Sequence, residues 1–180
     1  MTDPNNPGLK IRSDYVAALL ITLAPIVYFL PAISQGLVLC PDDGIIQNVP
    51  FRVAAAQIVL SGHLPLWNPY IFSGMPLLGA AQVGLLFPLN WFYLFWSAPM
   101  ATNLMVVSSY MVAGLGAFLY ARRIGISIVG AMITGLVWQA SGALIGQIAH
   151  INIVSRFQFS NLFLLKPSNR YSSSKAARSI

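Results

Sequence analysis

The feature that most constrains this chain is a run of 25 residues, Tyr15–Leu39, without one charged side chain. About 20 apolar residues in a helix already cross a hydrocarbon core. Two further runs follow, Met100–Tyr120 and Ser127–Ala149, separated by a short basic turn, Arg122-Arg123-Ile-Gly125. Only 8% of the residues are charged and 57% are hydrophobic, whereas an ordinary soluble domain carries about 25% charged residues. A soluble globule is excluded, and so is a disordered chain, which does not tolerate this much apolar surface. The first run exceeds the 7–15 residues or so of a signal-peptide core, and its small-residue cleavage site is poor. It is therefore expected to remain as an uncleaved span, kinked at Pro25 and Pro31.

Charge placement orients the spans. The net charge of +6 comes from few groups, and no basic-aromatic platform for nucleic acid is present. Lys10 and Arg12 precede the first span and Arg122-Arg123 follows the second, so the positive-inside rule places both flanks in the cytoplasm. The expected architecture is an all-α integral membrane protein of the inner (cytoplasmic) membrane. It has three transmembrane helices and a long outer loop with interfacial helices between spans 1 and 2. Residues 1–14 form a cytoplasmic flank, 15–154 the membrane region and 155–180 an aberrant or disordered tail, because apolar continuity fails at Arg156-Phe-Gln158. The Asp42–Pro99 region then lies outside. Within it, Pro76–Ser97 is long enough to span, yet it carries Pro88, Asn90 and the rings Trp91, Phe92, Tyr93, Phe95 and Trp96. Rings at that density suit the headgroup layer, so an interfacial or re-entrant element is expected. Gly142 and Gly146, spaced small-xxx-small, predict close helix contact.

Two of only four acids, Asp42 and Asp43, sit together just beyond the first span, in Cys40-Pro-Asp-Asp-Gly44. The segment reads as a turn, with aspartates capping amides and Gly44 at positive φ. The pair is either purely structural or aimed at one site. Asn48 and Pro50 predict the start of a short surface helix, with Val49, Val53 and Leu60 alternating around Arg52 and Gln57. Arg52, the only basic residue in the outer region, either holds a phosphate bidentately or snorkels to water. His63-Leu-Pro-Leu-Trp67-Asn68-Pro-Tyr70 crowds prolines and aromatics together. Irregular backbone of this kind must shelter against protein or a cavity; Trp67 and Tyr70 either line a sugar or lipid site or anchor the interface. No phosphate-cradling glycine motif, zinc spacing or serine-nucleophile elbow occurs.

The series Pro41-Asp-Asp-Gly…Gln47…Pro50-Phe51…Gly62-His-Leu-Pro-Leu-Trp-Asn-Pro-Tyr70…Gly74-Met-Pro76…Gln82…Pro88-Leu-Asn90 resembles the N-terminal part of the YfhO-like bacterial membrane protein family. So do Gly114-Leu-Gly116, Arg122-Arg123-Ile-Gly125 and Ser141-Gly142…His150-Ile-Asn152. That family in turn resembles C-type integral-membrane glycosyltransferases, which use polyprenyl-phosphate sugars and place acids in the first outer loop. The resemblance implies transfer of a sugar from a lipid-linked donor to an extracytoplasmic acceptor, with Asp42 or Asp43 as general base. It implies Arg52, Gln47, Trp67, Asn68 and Tyr70 as substrate contacts. No cofactor is expected, although the aspartates could hold a divalent cation such as Mg²⁺ or Mn²⁺. Family members are several times longer and continue past the His150 region into another apolar helix. A truncation or frameshift after about residue 153, with the C-terminal membrane region missing, is therefore expected. The rival classes are a transporter-like or assembly subunit without catalysis, and an inactive fragment.

Overall fold

A computed structural model describes residues 7–42, 44–71, 73–79, 83–84, 87–148 and 150. The expectations for Asp43 and for the 155–180 tail lie outside these residues. Three helices are long and apolar enough to cross a membrane: Ser13–Ser34 within α1 (Pro7–Ser34), α3 (Ala98–Arg123), and the stretch Ile128–Ile145. Between α1 and α3 come a wide turn (Gly44–Asn48), α2 (Val49–Leu60), a two-residue antiparallel ladder of β1 (Trp67–Asn68) with β2 (Met75–Pro76), and a 3₁₀ turn (Pro88–Leu94). The ladder departs from the all-α expectation. β2 carries Pro76 on an edge strand, where a proline is tolerated, and Leu77 N–H to Leu66 C=O at 2.9 Å extends the pairing.

The helices form an antiparallel bundle whose ends are fixed by polar contacts. Near the start of α1, the Asp14 carboxylate takes two bonds from Arg122, from Nε at 2.9 Å and Nη2 at 3.1 Å. At the opposite end, Asn103 near the start of α3 accepts the Leu39 N–H at 2.8 Å and donates to Leu37 C=O at 3.1 Å. The basic end of α3 and the start of α1 therefore share one end of the bundle. The loop elements stack at the other end, where Cys40, Ala56 and Tyr93 pack on Ala101 and Met105 of α3.

The third apolar run breaks. α4 (Ile128–Gln139) stops at Ala140–Ser141, and a single turn, α5 (Gly142–Ile145), follows. The break lies about 18 Å along the run at 1.5 Å per residue, near mid-bundle. There Gln139, 1% exposed, donates its Nε2 to Ile21 C=O at 3.0 Å and Tyr110 C=O at 3.1 Å. Pro25 explains the first contact, since it lacks the N–H that would have bonded Ile21 four residues back. Gly114 explains the approach: a Cβ there would lie inside the Gln139 carboxamide. Gly135 likewise lets α4 close on Ile21 and on the Gly114 carbonyl, where a Cβ would sit 2.9 and 3.1 Å away. Close helix contact thus falls at Gly114 and Gly135, whereas a Cβ at Gly142 meets nothing.

Gly114→Ala is accordingly expected to cost about 1–3 kcal/mol by overpacking, read as a lowered unfolding midpoint in detergent. Gly142→Ala serves as the control and is expected to be neutral or slightly stabilising, since alanine favours the helix. Equal midpoints for both variants would contradict the three-helix contact.

Candidate functional site

The Asp42 turn forms as the sequence suggests, but its parts exchange roles. Main-chain bonds close it, with Gly44 N–H on Pro41 C=O at 3.2 Å and Ile45 N–H on Asp42 C=O at 3.1 Å. The left-handed residue is Asp42, at φ 52°, and not Gly44. Aspartate and asparagine tolerate this region better than other side chains. Asp42 is exposed and does not line the cavity at Arg52, and Gln47 is exposed on the wide turn that follows.

α2 buries a different face from the one its apolar pattern suggests. Phe51, Arg52, Ala55 and Ala56 point inward, and Leu60 is exposed. Asn48 makes no side-chain cap, because the wide turn carries the chain straight into the helix. Arg52 does not snorkel. It is 2% exposed, with Nε bonded to Asn90 Oδ1 at 2.9 Å and Nη1 to Asn48 C=O at 2.9 Å. Asn90 is held in turn, donating Nδ2 to Val83 C=O at 3.1 Å and Gly84 C=O at 2.6 Å. Gly84 stands at φ 56°, and a Cβ there would press on that same amide nitrogen. The 3₁₀ turn after Pro88 thus aims Asn90 at Arg52 and locks it. Asn90 is the residue the sequence reading missed. A polar side chain within an apolar aromatic run was the available signal.

Arg52 and Asn90 line a cavity of about 410 Å³, whose other walls include Ala55, Ala56, Val59, Leu64, Val83 and Leu94. Burial pulls the guanidinium below its ordinary pKa, yet an arginine stays charged in proteins. A cation in the wall of an apolar cavity attracts an anionic group that carries an apolar body. Close by, burial pushes the Cys40 thiol up to about 11, with the Arg52 charge opposing weakly. Burial also raises Tyr93, whose hydroxyl lies 2.7 Å from Thr102 Oγ1.

The remaining expected contacts gather in the β1–β2 ladder. Trp67 lies half-exposed over Gly74, where φ is 108° and a Cβ would meet the indole. Asn68 is buried and accepts the Tyr70 N–H at 3.0 Å, while Tyr70 is 89% exposed. None of these three lines the Arg52 cavity, so the structure separates the aromatic contacts from the basic one. Among the described residues, no three metal-ligating side chains come together. No protein family, curated protein or solved structure matches the chain.

Proposed function

We propose that this chain is the N-terminal membrane region of a C-type glycosyltransferase-like protein. The longer protein would transfer a sugar from a polyprenyl-phosphate donor to an extracytoplasmic acceptor such as a glycan, polymer or lipid. The observation that carries this reading is Arg52, a buried cation in the wall of an apolar cavity, in the loop layer that also holds Asp42. A lipid-linked phosphate has that same pairing of charge and apolar body. In the mechanism, Arg52 holds the donor phosphate and Asn90 fixes the guanidinium. An aspartate of the Asp42-Asp43 pair takes the proton from the acceptor hydroxyl as that oxygen bonds to the anomeric carbon of the sugar. The bond from this carbon to the phosphate oxygen breaks, and the polyprenyl phosphate leaves with its charge held by Arg52. Trp67 and Tyr70, at the β1–β2 ladder outside the Arg52 cavity, offer ring faces to the acceptor. Arg52→Gln is expected to lose phosphate-selective donor binding, and Asp42→Asn or Asp43→Asn to lose sugar transfer.

The reading requires the loop layer to face outward in the inner membrane, with the Arg122-Arg123 end in the cytoplasm. Leu60→Cys and Ile124→Cys, both at exposed positions, test this with a membrane-impermeant maleimide on intact cells. The native Cys40 should stay silent. A pKa of about 11 instead of 9.0 cuts the reactive thiolate about a hundredfold at pH 8, and burial blocks access. Labelling is expected at position 60 and not at 124. The reverse pattern would overturn the orientation.

A second reading, a transporter-like or assembly subunit without catalysis, draws on one observation: Gln139 is a polar side chain buried half-way along the bundle. Such residues mark polar pathways in membranes.

A further inference from the structure

Among the described residues, side-chain polar atoms around the break between α4 and α5 are buried without hydrogen-bond partners. Four come from ten consecutive residues across the break: Trp138 Nε1, Gln139 Oε1, Ser141 Oγ and Gln147 Oε1. A fifth, Ser109 Oγ, sits on α3 beside Tyr110. Tyr110 is the hub of the region. Its carbonyl accepts Gln139 Nε2, and its hydroxyl donates at 2.9 Å to Leu144 C=O, which also accepts the Gln147 N–H at 3.3 Å. Tyr110 is the thirteenth of the 26 residues of α3, so the region lies about 18 Å from the start of that helix. Around it the bundle is apolar: Val106, Ala113 and Leu144 are buried, and Phe29 stacks edge-on to Tyr110 at 5.0 Å.

A buried amide oxygen or hydroxyl left unbonded costs about 1–3 kcal/mol, and more in a surrounding without water. Backbone N–H groups across the break are bonded within the protein, with Ala140 N–H on Leu136 C=O at 2.9 Å and Leu144 N–H on Ser141 C=O at 3.0 Å, so the deficit lies in the side chains. The chemistry of the unpaired atoms selects what satisfies them. Two amide oxygens require donors, the indole N–H requires an acceptor, and the serine hydroxyl serves either way. A metal cation would suit the oxygens and oppose the indole. Water donates and accepts, and a buried water needs 2–4 polar partners.

We infer that the α4–α5 break is a water-binding site, a small hydrated node at mid-bundle held by Trp138, Gln139, Ser141 and Gln147. The node supplies the bonds that these four side chains lack. It also places a hydrogen-bonding point in a membrane core that is otherwise apolar.

The test uses the full chain in phosphatidylcholine nanodiscs, with tryptophan replaced by 5-fluorotryptophan and the Trp138 resonance assigned by Trp138→Phe. Transfer from H₂O to D₂O is expected to shift the ¹⁹F signal of Trp138 through its water-bonded N–H, and Ser141→Ala is expected to reduce that shift. A Trp138 signal indifferent to D₂O would overturn the proposal. The thermal midpoint of Ser141→Ala gives an independent sign. A hydroxyl bonded to water stabilises, so its loss lowers the midpoint. A dry unpaired hydroxyl destabilises, so a raised midpoint would also overturn the site.

Discussion

Asn90→Leu is expected to lower the thermal midpoint of the protein in detergent by about 6–12 °C. The substitution keeps the branched shape of the side chain and removes the side-chain hydrogen bonds of Asn90 to Arg52, Val83 and Gly84. Arg52 Nε loses its acceptor, and the carbonyls of Val83 and Gly84 lose their donor. A buried polar group without a partner costs about 1–3 kcal/mol, and a charged one more, so the loss comes to about 3 kcal/mol. For a chain of this size each kcal/mol moves the midpoint by about 2–4 °C. A second readout localises the damage. Cys40 packs in the same layer, with Ala56, Tyr93 and Met105, so its buried thiol should become reactive to maleimide below the midpoint. An unchanged midpoint with Cys40 still protected would show that Asn90 does not hold Arg52.

On the proposed function, in which this region belongs to a sugar-transferring protein, Asp42→Asn or Asp43→Asn is expected to reduce sugar transfer by about 10²–10⁴-fold, the usual effect of losing a general base. The geometry at Asp42 makes asparagine the discriminating substitution. Its φ of 52° is one that asparagine adopts as readily as aspartate, so the turn survives. Alanine would add backbone strain of about 1–2 kcal/mol and confuse folding with chemistry. A turn cap alone is worth about 1 kcal/mol and would leave turnover near normal. Full transfer by both single Asp→Asn proteins would show the carboxylates to be structural.

Local chemistry made the helices legible. The apolar runs needed only their length and lack of charge to declare spans, and Arg122-Arg123 marked the end of α3 as a basic pair. The break at Ala140–Ser141 was hidden because no proline announces it; it is held by contacts from Gln139 and Tyr110 to other helices. The fate of Arg52 was hidden for the same reason. Its helix pattern suggested an exposed cation, and its partner Asn90 lies 38 residues away in a different element. The Asp14–Arg122 pair, 108 residues apart, joins two charges that the sequence could only assign to one side of the membrane. The β1–β2 ladder escaped because two-residue strands flanked by prolines carry no period to read.

The measurement that tests the proposed function most directly compares two lipids on the same protein. In phosphatidylcholine nanodiscs, a fluorescent short-chain polyprenyl phosphate and the matching uncharged polyprenol are titrated against the wild-type chain and Arg52→Gln. Intact packing of the loop layer in both proteins is verified by the silence of Cys40. The wild type is expected to bind the phosphate about tenfold or more tighter than the alcohol, as a charge-assisted contact of about 1.5–3 kcal/mol requires. Arg52→Gln is expected to abolish that preference while leaving alcohol binding unchanged. Equal affinity of the wild type for phosphate and alcohol would contradict the account.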